Sequence, residues 1–254
     1  MASSEARRRK QLEKKKKKRG DKRHQIVVRR NAGLADQLLA RSKAPVLECL
    51  ISNDLKDEGL GEVVIARRSA SGEIALGLFL IDRYCMGVKD CFGRLVSGAD
   101  YSKFKEDMRN RGRNLNKIDA ASARRIVEDA VAYADSLGIK PHADFRAARM
   151  ILGDIDPAAA TTILEMGKDG KPLFISGPFQ SPAECQLIIS KLTAKCGVDG
   201  FHFMMVAHPG HDNLSGPNFS ELSFDDDDAD DMDPEDEDDS EESESTYLLE
   251  DGRS

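Results

Sequence analysis

A chain of 254 residues with 40% hydrophobic side chains is long enough to bury one substantial core, or two small ones. Its net charge of −7 conceals a segregation: residues 1–30 carry 14 Lys/Arg against three acids, residues 221–254 carry 18 acids against one Arg, and the remainder is within one charge of neutrality. The longest apolar run, residues 74–81, has eight residues where a membrane-spanning helix takes about 20, and no apolar stretch follows the basic start as it would in a secretory signal, so a cytoplasmic protein without a membrane segment is expected.

Residues 1–30 are too charged and too poor in apolar side chains to offset the entropy of ordering, and a disordered basic arm is expected there. The globular domain is assigned to residues 31–220. Leu34, Leu38 and Leu39 stand at helical spacing, which predicts a short helix over residues 34–41 that stops before Pro45.

Three strands follow, over residues 46–51, 62–68 and 73–82, the last two joined by Ser69-Ala70-Ser71-Gly72, a connection suited to a hairpin. Ile74, Leu76, Leu78 and Leu80 alternate with Ala75, Gly77, Phe79 and Ile81, so both faces of the third strand are apolar and a central position is expected. A largely helical middle comes next. Asp119 is placed to cap a helix whose Ile126, Val127, Ala130, Val131, Ala134 and Leu137 form one stripe, with Gly138 at the left-handed C′ position. A shorter helix over residues 143–152 packs Phe145, Ala148, Met150 and Ile151 and ends at Gly153.

In the third block, residues 161–166 and 171–176 flank Gly167-Lys168-Asp169-Gly170, and the Asp-Gly pair predicts a hairpin. Ser181-Pro182-Ala183-Glu184 is a capping box with Pro at N1. It opens a helix with Cys185, Ile188, Ile189 and Leu192 facing inward and Gly197 as its stop, and a strand over 201–206 completes a strand-helix-strand unit. The fold class read from these elements is α+β: a mixed or antiparallel sheet built from two hairpin-containing blocks around a helical middle, between disordered charged termini. Whether the two blocks share one sheet stays open. Residues 221–254 are expected to be a disordered acidic tail, in which Tyr247-Leu248-Leu249 is an apolar island, either a chance cluster or a docking motif.

Phe79-Leu80-Ile81-Asp82 running into Tyr84-Cys85-Met86-Gly87-Val88-Lys89-Asp90, with the later Tyr133-Ala134, Leu137-Gly138, Pro141-His142, Asp144-Phe145 and Gly167-Lys168-Asp169-Gly170-Lys171-Pro172, resembles an uncharacterised bacterial family. Some of its members carry a short Cys-rich zinc-binding C-terminal motif of the SEC-C type. The resemblance covers residues 46–206 and implies a shared fold. The zinc-binding motif is absent from this chain, whose C-terminus is acidic instead, so no metal carries over.

Among candidate functional residues the basic arm stands first. Arg7, Arg8, Arg9, Lys10, Lys14, Lys15, Lys16, Lys17, Lys18 and Arg19 would bind nucleic acid or a ribonucleoprotein by releasing its counterions, which makes binding sequence-independent and salt-sensitive. No aromatic residue lies among them to stack on bases. The acidic tail is expected to compete for the arm at low salt, a self-masking arrangement, or to bind a basic protein partner. The weak catalytic candidates are Asp82, Lys89 and Asp90, which a sharp turn at Gly87 would gather at the end of the third strand, with Cys85 or Cys91 as a thiol nucleophile. No partnering His is identifiable beside them, and ion pairs next to a turn are commonly structural.

The five cysteines, Cys49, Cys85, Cys91, Cys185 and Cys196, include no C-x-x-C pair and read as buried thiols. His202, His208, His211 and Asp212 do not make a zinc signature. His142 reads as a packing or capping residue. Gly177-Pro178-Phe179-Gln180-Ser181 precedes a helix N-terminus, yet its capping box uses the donors an anion would need. No cofactor motif is present. The leading expectation is a non-enzymatic interaction protein that contacts nucleic acid or ribonucleoprotein through its arm. The alternative is a small hydrolase or nuclease-like enzyme using the Asp82 to Asp90 segment.

Overall fold

The structure is a computed structural model that describes residues 33–177 and 180–205. The basic arm, the acidic tail, His208, His211, Asp212, Val206 and the Tyr247-Leu248-Leu249 island lie outside the described residues. Five antiparallel strands form the main sheet: β1 (Val46–Ser52), β2 (Leu60–Arg68), β3 (Ile74–Asp82), β4 (Gly87–Val96) and β5 (Leu115–Ile118), in the order β4-β3-β2-β1-β5. β3 is interior, paired with β2 along its whole length and with β4 on its other edge, as its two apolar faces require. A second sheet holds only β6 (Leu173–Ile175) and β7 (His202–Met204), which run parallel. The fold is α+β, and the two β blocks do not share a sheet.

Helices cover both faces of the main sheet. Side chains alternate across a strand. Cys49, Ile51, Val63, Ile65, Phe79 and Ile81 share one face and pack against Ala123, Ile126, Val127 and Ala130 of α4 (Ala120–Ser136) and Phe145 of α5 (Phe145–Ala148). Glu48 and Glu62 point to the other face, where Tyr101 and Lys105 of α3 (Gly98–Asn110) bond Glu48 and Arg113 lies against Glu62. A smaller core joins Cys85, Ala134, Leu137 and Phe174 to Cys185, Ile188 and Leu192 of α6 (Pro182–Cys196).

The locally encoded helix ends form as expected. Asp119 caps α4 by accepting from Ser122 N, and Gly138 follows at φ +77°. Ser181 and Glu184 complete the capping box of α6 around Pro182. Helix α1 covers residues 33–40 and buries Leu38, whereas Leu39 is 55% exposed, so only Leu34 and Leu38 face inward. The 143–152 stretch is α5 continued by a 3-10 turn (Arg149–Leu152).

Three differences have physical reasons. The middle is less helical than the sequence indicates, because β4 and β5 lie in it; Gly87, Lys89, Asp90, Gly93 and Arg94 break the apolar alternation of β4, and β5 is only four residues long. Residues 161–166 are not a strand. The amides of Thr161 and Thr162 donate to Ser122 Oγ at 3.0 and 2.8 Å, and Thr161 Oγ1 donates to Asp119 Oδ2, so this segment is tied to the start of α4. The Asp-Gly turn itself forms, with both residues at positive φ and an isolated bridge between Lys168 and Lys171, but the chain leaving it pairs with β7 in parallel through the α6 crossover.

Candidate functional site

The site is built where β3 passes into β4. Asp82, the last residue of β3, turns its carboxylate onto the chain ahead of it: Oδ1 accepts from the amides of Tyr84 and Cys85, both at 3.0 Å. This closes the connection to β4. Gly87 stands there at φ +65°, and any Cβ on it would lie 2.6 Å from the carbonyl oxygen of Ala130 in α4, so glycine both makes the turn and lets it rest on the helix. Arg83 straps the turn from outside, donating to the carbonyls of Leu55, Lys56 and Glu165.

A β-bulge then decides where Lys89 points. Leu80 pairs with Asp90 but Ile81 pairs with Val88, which leaves Lys89 as the extra residue on β4. Lys89 and Asp82 line one cavity of about 160 Å³ together with Glu58, Tyr84, Ser176 and Gly177. The Lys89 ammonium approaches Gly177 so closely that a Cβ there would lie 3.3 Å from Nζ. Burial pushes the Asp82 carboxyl up from the ordinary range, against the opposing pull of Lys89 and of the amides of Cys85 and Tyr84. A carboxyl held by the backbone and an ammonium thus both border a cavity whose lining is largely apolar.

Asp90 is not part of this group. It faces a different neighbourhood, accepting from its own neighbour Cys91 N at 2.7 Å and standing 3.8 Å from His142 Nδ1. His142 is brought there by a bond from its amide to Val88 O, and its Nδ1 accepts from Asp144 N while lying 3.9 Å from Asp144 Oδ2. Burial raises the Asp90 carboxyl, with His142 acting in the opposite direction. The imidazole missing from the sequence reading is thus supplied by the segment that starts α5, a contact over 52 positions that no local pattern signals.

The two thiols beside the turn are buried. Burial pushes Cys85 and Cys91 up to about 12, so neither is a thiolate near neutral pH. Four of the five cysteines are buried, and Cys196 is partly exposed. The amide of Gly177 donates to Gln180 Oε1 and the first donors of α6 are taken by Ser181 and Glu184, which leaves the structural reading of that helix start in place. Among the described residues no group of three or more His, Cys, Asp or Glu is placed to hold a metal ion, and no helix is long and apolar enough to cross a membrane.

Two buried charges escaped the sequence reading. Arg67, 2% exposed, donates to the carbonyls of Ala44, Ile151 and Leu152 and reaches Asp154 at 3.1 Å. It stands beside Arg68 at a strand end, where a pair of arginines reads as solvated. Glu62 is wholly buried on β2, with Arg113 Nε 3.2 Å from Oε1. No protein-family model, curated protein or solved structure matches this chain, so the chemistry of the site rests on its own residues.

Proposed function

We propose that this is a cytoplasmic interaction protein that binds nucleic acid or ribonucleoprotein through its basic arm, with the acidic tail competing for the same cations. One observation carries the reading: 14 Lys/Arg against three acids in residues 1–30, set against 18 acids and one Arg in residues 221–254. A polycation gains affinity for a polyanion by releasing condensed counterions, so binding is indifferent to sequence and falls steeply with salt.

The test is a salt titration of anisotropy with random-sequence RNA and DNA, using the full chain, a variant with Lys14, Lys15, Lys16, Lys17, Lys18 and Arg19 changed to Gln, and a chain ending at residue 220. The arm variant is expected to lose affinity and to shallow the salt slope by about 0.9 for each phosphate it no longer neutralises on duplex DNA. The shortened chain is expected to bind more tightly. An arm variant that binds like the parent chain sinks the reading.

A second reading, a small hydrolase or nuclease-like enzyme, is favoured by the shared cavity of Asp82 and Lys89. In it Lys89 orients an anionic group and Asp82 exchanges a proton. Lys89→Met, on a fold left intact, abolishes turnover of phosphodiester and ester substrates under this reading and leaves any such turnover unchanged otherwise.

A further inference from the structure

The connection from α3 to β5 concentrates positive charge on the folded domain itself. Residues 103–117 hold six Lys/Arg against two acids, Glu106 and Asp107. Arg109, Arg111 and Lys117 are exposed, and among the described residues none of the three is engaged in an ion pair. Lys105 is different, being tied to Glu48 at 2.6 Å. A cation in the last turn of a helix is favourable against the helix dipole, which accounts for Arg109, and Lys117 exerts some pull on the Glu48 carboxylate that Lys105 already engages, whereas Arg111 stands beyond that turn.

The connection is held rigidly. Gly112 stands at φ +78° and its amide donates to Arg109 O, while Arg113 N reaches back to Met108 O at 2.9 Å, a left-handed cap that fixes the chain direction. Arg113 then anchors inward, donating to Asp54 Oδ2 at 3.0 Å and lying 3.2 Å from Glu62 Oε1. Beyond it, Asn53 N donates to Asn114 O and the Asn116 amide donates to Asn53 Oδ1 at 2.7 Å, so the far side of the turn is pinned to α2 (Asn53–Asp57) before β5 pairs with β1. The inward-turned arginine serves as the nail; its exposed neighbours are displayed on a surface whose ordering is already complete before any ligand arrives.

We propose that this α3–β5 turn is a second nucleic-acid contact, on the folded domain, in which Arg109, Arg111 and Lys117 engage successive phosphodiester groups. The inference rests on the nucleic-acid reading of the arm and gives it an oriented docking surface. The exposed amides of Asn110 and Asn114 flank the cations and can donate to phosphate oxygens. Tyr101 and Phe104, the rings of α3, are buried in the sheet face, so they offer no stacking platform and the contact is to the backbone of the nucleic acid rather than to its bases. RNA and DNA share this chemistry.

The test uses the full chain throughout, with random-sequence RNA and DNA in parallel. Arg109→Gln, Arg111→Gln and Lys117→Gln are combined in a turn variant. It is set beside the arm variant above and a control that removes three exposed or half-exposed cations elsewhere, Arg146→Gln, Lys191→Gln and Lys195→Gln. Retention on a polyglutamate resin, measured for each, reports attraction to a polyanion that is not a nucleic acid. The turn variant is expected to lose nucleic-acid affinity about tenfold or more at low salt and to shallow the slope by about two to three on duplex DNA. The control is expected to change little. Loss with both RNA and DNA supports a phosphate contact, and loss with one alone supports it for that nucleic acid. An unchanged turn variant beside a weakened arm variant overturns this inference and leaves the arm reading standing; a weakened turn variant beside an unchanged arm variant does the reverse. The inference is also overturned by a control that weakens as much as the turn variant, by a turn variant that weakens on polyglutamate alone, or by a parent chain that binds neither nucleic acid.

Discussion

Two carboxylates near the same end of the main sheet are treated in opposite ways. Asp82 closes β3 with 7% of its surface exposed, and its oxygen is met by two backbone amides. Glu62, on the neighbouring strand, is 0% exposed; among the described residues neither of its oxygens accepts a well-directed hydrogen bond, the Arg113 guanidinium lies alongside, and Ser52 exerts a lesser pull. Burial raises both carboxyls, yet the first is opposed by Lys89, seven residues on, and by amides of its own turn, and the second chiefly by a side chain delivered from 51 residues away. The difference is one of origin. A carboxylate solvated by its own backbone survives as long as the turn does, whereas one solvated by a distant arginine depends on the whole α3–β5 connection being in place.

The sharpest way to break the comparison is to remove the distant partner. Arg113→Leu leaves Glu62 buried without its counter-charge and is expected to cost about 3 kcal/mol or more in chemical denaturation. Adding Glu62→Leu should recover most of that loss, because a buried pair replaced by apolar side chains is often neutral or better. If the double variant is no more stable than Arg113→Leu alone, Arg113 acts by anchoring the turn and not by neutralising Glu62.

A somewhat smaller effect is expected at Asp82. Asp82→Ala strands two amides at the β3–β4 turn and should cost about 2 kcal/mol, while Asp82→Asn keeps an acceptor oxygen and should cost clearly less. Equal losses for the two would mean that the charge facing Lys89, rather than the amide bonds, holds the turn.

The smallest effect is in pH dependence. A carboxyl whose folded value is raised binds its proton more tightly in the native state than in the unfolded chain. Its contribution is therefore fully present below the ordinary carboxylate range and is lost as pH rises through the raised value. Glu62→Gln should remove that loss, so the variant gains on the parent chain as pH is raised from about 4 toward neutrality, read from urea midpoints. A difference that does not move with pH would mean that Arg113 compensates the burial of Glu62 in full.

Much of the fold was legible because its signals are local. The Asp119 cap, the Ser181–Glu184 box and the Asp169-Gly170 turn each act within a few residues, and each forms. So does the double apolar face of β3, which demands cover on both sides. The capping box of Ser97 and Asp100 at the start of α3 is a signal of the same local kind, and it could have marked that helix from sequence. β4 was not legible, since its polar and glycine positions go with a bulge at Lys89 and with the contact of His142 N to Val88 O rather than with alternation.

The candidate site divides along the same line. Asp82 and Lys89 are seven residues apart across a turn that Gly87 announces, and they do share a cavity. Asp90, next in sequence, is directed elsewhere by the pleat and by the bulge, and its companion His142 enters from another element. Sequence alone determined the charge segregation of the termini, the helix caps and the central place of β3, because each depends on composition or on bonds between near neighbours. Tertiary structure alone decided that residues 161–166 follow α4 instead of forming a strand, that the second β block pairs in parallel, and that Arg113 serves Glu62. Those outcomes turn on which distant donors and acceptors meet once the sheet has packed, and the energy of such meetings is written in no short stretch of the chain.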